Sequence, residues 1–175
     1  MCIYRRVLAV MLFALAALLA GLALEPGEAL AQPASLVGRP APLVRATSLD
    51  GEDVVVPVRG KVMLVVFWNT KYRLSANALG AVQRVYDRYR GRGLLCVGID
   101  DLGEDERAIG QFAAGVGAAF PMVGRADGRS AAVAYRVRGV PVVYLIDKSG
   151  SVFYVKEGWD TNAEEEIGRK LSAAL

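Results

Sequence analysis

Residues 61–68, KVMLVVFW, constrain the fold more than any other stretch of the chain. After the lysine there is no polar residue, so neither face is left for water, and the run reads as a strand covered on both sides. It passes directly into residues 73–90, where Ala78, Leu79, Val82, Val85, Tyr86 and Tyr89 recur at helical spacing. A strand that feeds a helix this closely is the first half of a βαβ unit.

The alternation continues. Residues 94–99, LLCVGI, read as a second apolar strand, and residues 104–116 carry Ile109, Phe112 and Val116 on one helical face. Residues 129–135 form a short alanine-rich helical pattern. Residues 142–146 and 152–155 are two strands split by the turn residues Lys148, Ser149 and Gly150, which predicts a hairpin. Thr161 and Glu164 have the spacing of a capping box for a last helix bearing Ile167 and Leu171. Upstream, QPASLVGRPAPLV reads as an extended proline-rich lead-in, and Asp50-Gly51 as a turn before a short strand. The class is α/β: three layers, a central mixed sheet with helices on both faces.

Residues 1–31 read as an export signal: Arg5 and Arg6 precede an 18-residue apolar run, 7–24, and Ala29-Leu30-Ala31 has cleavage spacing. The run is also long enough for an uncleaved anchor, which is the one route to a membrane, and the two arginines allow a twin-arginine signal. Each version places the folded part in the periplasm or outside the cell. Residues 32–175 are then a single domain of 144 residues, 175 minus 31.

Absences narrow the chemistry. There is no histidine, which excludes histidine triads, metal sites and proton shuttles, and no metal or other cofactor is expected. Residues 32–175 hold 19 basic and 16 acidic side chains, a surplus of +3 too small and too scattered for a nucleic-acid partner. The cysteines are Cys2, inside the signal, and Cys96, inside an apolar strand, where a thiol behaves as a small hydrophobe; a reactive or intermolecular thiol is the other reading.

GRPAPLV, LDG, RGKVMLVVFW, GID, FPMVGRADG and YRVRGVPVVYLIDKSG, taken in that order, resemble the thioredoxin superfamily, in its exported TlpA-like and redoxin branch of thiol-disulfide reductases. The resemblance implies a thioredoxin-like fold over residues 38–175 and a cis bond at Val140-Pro141 beside a groove for an extended peptide. Pro141 starting a strand after a loop is the plainer alternative. Family members carry a Cys-x-x-Cys motif after Phe-Trp; here Phe67-Trp68 is followed by Asn69, Thr70, Lys71, Tyr72, Arg73, Leu74 and Ser75, so Tyr72 and Ser75 stand in the cysteine positions. Ala78 replaces an acidic residue frequent in the branch, and Val142 a frequent threonine. A helix N-terminus stabilises a thiolate but does not bring a serine hydroxyl to ionise near neutral pH, and tyrosine forms no disulfide. The resemblance therefore implies a family member without catalytic residues.

Several readings of the joint stay open. Lys71 and Arg73 either bind an anion at the helix start or are solvated charges. Tyr72 either offers a partner a flat contact or covers the Trp68 end of the core, and Trp159 either packs or recognises. Arg84, Arg88 and Arg90 read as a solvated face with Asp87. Three functions compete: a redox-inactive binder of protein or peptide in the groove beside Val140-Pro141, an accessory of a thiol-redox or cytochrome c assembly system using partner thiols, and an anion or small-molecule binder at Lys71 and Arg73.

Overall fold

In the computed structural model, which describes residues 35–175, the apolar run becomes β3, Met63–Trp68, with all six residues buried. Its side chains alternate between two cores. Met63, Val65 and Phe67 face a cluster with Val44, Val54, Val56 and Tyr135, while Leu64, Val66 and Trp68 face Leu79, Val82, Ile109 and Ile167. One strand thus nucleates both layers.

The other elements supply those covers. β1 (Val44–Thr47) and β2 (Asp53–Val56) form an antiparallel hairpin of their own. After β3 come α1 (Leu74–Tyr89), β4 (Leu95–Asp100), α2 (Glu106–Gly115), β5 (Met122–Val123), α3 (Arg125–Ala134), β6 (Val142–Ile146), β7 (Val152–Glu157) and α4 (Ala163–Ala174). The sheet order is β5-β4-β3-β6-β7, with β4 parallel and β6 antiparallel to β3. Helices α1, α2 and α4 contribute to one core; α3 and the hairpin contribute to the other. This is the mixed-sheet, three-layer α/β arrangement that the strand pattern predicts. Among the described residues no helix is long and apolar enough to cross a membrane. The predicted export signal lies outside the described residues.

Local expectations fail at four places, each for a physical reason. The lead-in pairs at its end, where Val44–Thr47 joins β2; its four residues are too short to stand out by period. β5 has only two residues, at an edge, and carries no pattern at all. α3 starts at Arg125 rather than 129 because Gly128 serves packing instead of a turn: a Cβ there would collide with the Asp100 carbonyl oxygen. The capping box of Thr161 and Glu164 does not form. Asp160 Oδ1 instead accepts the Asn162 amide (2.8 Å), and Glu164 takes a two-pronged contact from Arg84 Nε (3.1 Å) and Nη2 (2.6 Å). The arginine face of α1 is solvent-exposed as the pattern predicts, with Arg90 near Asp87, and its Arg84 in addition ties α1 to α4.

Two glycines inside helices give opposite expectations. A methyl group on Gly80 in α1 would meet nothing closer than 3.8 Å, so Gly80→Ala gains helix propensity and raises stability by up to about 1 kcal/mol. Gly128→Ala drives a methyl group into the β4 backbone and lowers stability by at least about 2 kcal/mol in spite of the same propensity gain. Urea midpoints of the two variants check this, and a neutral Gly128→Ala would contradict the α3–β4 contact.

Candidate functional site

β3, β4 and β5 end, and β6 begins, at one edge of the sheet: Trp68 lies opposite Asp100, Phe67 opposite Val142, and Val142 opposite Glu157 of β7. This register brings four loops to that end, residues 69–73, 101–105, 135–141 and 158–162. The joint between β3 and α1 is therefore flanked by the Val140-Pro141 turn on one side and an acid-rich loop on the other.

The acid-rich loop clasps the joint. Glu104, whose side chain is 9% exposed, accepts from the Thr70 amide (2.7 Å) and hydroxyl (2.6 Å), and lies 3.3 Å from the Lys71 ammonium. Asn69 Oδ1 accepts from the amides of Lys71 (3.0 Å) and Tyr72 (2.9 Å), its Nδ2 donates to Asp101 Oδ1 (2.9 Å), and its backbone amide donates to Ser75 Oγ (3.4 Å). Beneath them the buried Asp100 accepts from the amides of Leu102 and Glu104. Asn69, Asp100, Asp101 and Glu104 are site residues that sequence reasoning missed. The only available signal was the acidic run GIDDLGEDE following a strand, and charge alone does not say which way a carboxylate turns.

Opposed environments set the two carboxyls apart. Burial lifts Asp100 to about 6, with the neighbouring Glu104 charge adding to the rise. For Glu104 burial pushes upward too, but the Thr70 hydroxyl and amide and the Lys71 ammonium outweigh it and hold the group below the ordinary carboxylate range.

The sequence-predicted residues separate. Ser75 is fully buried, while Tyr72 is 47% exposed. Tyr72 does not cover Trp68; Phe112 does, stacked on the indole at 5.2 Å and 26°. Lys71 lies 3.3 Å from Glu104 with its side chain still largely exposed, and the amides of Thr70, Lys71, Tyr72 and Ser75 all have partners inside the chain. Trp159 packs against the α1 side of the core and edges a groove of about 530 Å³ with Leu74 and Val116. Cys96 sits in the core opposite Leu64, where burial pushes its thiol well up. Among the described residues no group of three or more His, Cys, Asp or Glu side chains could hold a metal ion.

On the other side of the joint the Val140-Pro141 peptide is cis, and the Pro141 carbonyl accepts from the Gly158 amide (2.9 Å). The backbone N–H and C=O of Val140 have no hydrogen-bond partner among the described residues. A recess of about 340 Å³ opens beside Val140, lined also by Arg138, Val142, Tyr144 and Glu157. Its floor of Val142 and Tyr144 lies next to the unpaired Val140 backbone, at a bend that leads into β6.

Known proteins share this framework. No family model matches the chain. A thiol-disulfide oxidoreductase ResA of Geobacillus kaustophilus is 31% identical over 139 residues, which span 78% of this chain and 77% of that protein. A thiol:disulfide interchange protein of the thioredoxin family from Chlorobium tepidum superposes with a TM-score of 0.67 at 22% identity, over 77% of this chain and 94% of the other. A secreted Mycobacterium tuberculosis disulfide oxidoreductase homologous to E. coli DsbE superposes with a TM-score of 0.64 at 19% identity, over 74% of this chain and 94% of the other.

The clasp sets the pH response. Glu104, with its native value depressed, contributes stability that is present above the unfolded-state value and lost as pH falls through the native one; Asp100, with its value raised, acts oppositely and loses its contribution as pH rises through about 6. Glu104→Gln should therefore cost about 1 to 3 kcal/mol near neutral pH and progressively less in acid, where the wild-type carboxylate is protonated too. In the same variant the Asp100 titration, followed by carboxyl 13C NMR, should move down from about 6 because a neighbouring negative charge is gone. An unchanged midpoint would uncouple the two groups.

Proposed function

The chain belongs to the ResA-type, TlpA-like branch of the thioredoxin superfamily, and from that membership we propose that it is an exported member which has given up dithiol exchange and retained peptide binding beside Val140-Pro141. The observation that carries the first half is the chemistry of the joint. The family reaction needs a thiolate at the start of α1, and the residues there are an exposed Tyr72 and a buried Ser75. No histidine is present to activate that serine, Asp100 spends both oxygens on backbone amides, and the thiol of Cys96 lies inside the sheet, away from the joint. The second half rests on the unpaired Val140 backbone, which can hydrogen-bond an extended chain as an added strand does. Export is supported by the charged start and apolar run of residues 1–31.

Absence of exchange and presence of binding are checked separately. The purified protein should fail to reduce insulin or a mixed disulfide with any added reductant; turnover that disappears in Cys96→Ser would overturn the redox-inactive reading. The double variant Tyr72→Cys with Ser75→Cys should gain a dithiol that oxidises reversibly, because the fold around the joint is that of the active relatives. A folded double variant with no reactive thiol would break the correspondence between Tyr72, Ser75 and the family's cysteines. Val140→Asp should lose partners that wild type captures from a periplasmic extract, and equal recovery would remove the groove.

A further inference from the structure

We propose that the groove beside Val140-Pro141 selects extended peptides that carry carboxylates, through Arg138, which lines it, and Arg73, in the loop that leaves the neighbouring strand at the same end. The proposal rests on the peptide-binding reading above and adds the chemistry of the partner.

Its basis is an asymmetry in how charges at this end of the sheet are used. The acids turn inward or pair. Asp100 accepts two backbone amides, Asp101 accepts Asn69, and Glu104 accepts Thr70 and Lys71. Asp105 caps α2 by accepting the amides of Arg107 and Ala108, Glu106 pairs with Arg125 at 2.9 Å, and Asp160 pairs with Lys156 at 2.6 Å. Two arginines do not follow that rule. Arg73 and Arg138 are exposed and have no ion-pair partner among the described residues. Because Phe67 is paired with Val142, Arg73 and Arg138 belong to loops that leave neighbouring strands at the same end, with Val140 and the half-exposed Tyr72 in the same two loops.

A peptide that pairs with the free Val140 backbone projects alternate side chains to the same side at intervals of about 6.6 Å. Carboxylates so placed find two uncompensated guanidinium groups, each able to make a forked, charge-assisted contact. Glu157, exposed on β7 and lining the recess, has no ion-pair partner among the described residues, and it disfavours carboxylates on the β7 side. The preference is thus for acidic residues toward the arginine side, and removal of the Glu157 charge strengthens it.

The test uses the full-length chain and three pools of fluorescein-labelled decapeptides, randomised over small and apolar residues except at fixed alternating positions that are Glu, Gln or Lys. By fluorescence anisotropy the Glu pool should bind about tenfold more tightly than the Gln pool at low salt and lose most of that lead when screening shortens to a few ångströms. Arg73→Gln with Arg138→Gln should bring the Glu pool to the level of the Gln pool while leaving Gln-pool binding unchanged, and Glu157→Gln should tighten the Glu pool alone. Equal binding of the three pools that is still abolished by Val140→Asp would overturn the charge preference and keep the groove. Failure of every pool to bind saturably would overturn the groove and the preference together.

Discussion

Burial of β3 on both faces is the constraint from which the remaining architecture follows. A strand without a polar side needs two separate covers, and a parallel neighbour needs a crossover long enough to hold a helix. α1 supplies one of those covers and the crossover at once, which is why the apolar run must give way to a helical stripe within a few residues. The same requirement fixes where polar chemistry can occur: with the middle of β3 dry, hydrogen-bonding side chains gather where the strand ends, at Asn69 and beyond.

At that end the chain meets a structural problem common to strand–helix joints. A joint between strand and helix leaves amides without partners. Here they are met by Asn69 from within and Glu104 from the adjacent loop, and Glu104 is itself positioned by its own amide bonding to Asp100. The clasp reaches further still. The Asp100 carbonyl is the atom that α3 approaches at Gly128, so the seating of α3, the buried acid and the shape of the joint form one mechanical chain.

The sequence made the large elements legible because their periods are long and unbroken: β3, α1, β4 and the β6–β7 hairpin all fall close to where their patterns place them. What it concealed depends on partners distant in the chain. Gly128 looks like a turn residue until Asp100 is beside it. Glu164 has the spacing of a cap, yet it turns to a guanidinium 80 positions away. At the site, the place of Tyr72 and Ser75 at the strand–helix joint was readable from Phe67 and Trp68 before them, whereas the direction of Glu104 was not, since an acid in a loop gives no sign of whether it faces water or the backbone.

The clasp has a consequence for how such a surface is governed in a cell. On the redox-inactive reading proposed above, a joint held by an amide and a carboxylate offers an oxidant or reductant no thiol to act on, and what governs its shape is acidity, through Glu104 and Asp100.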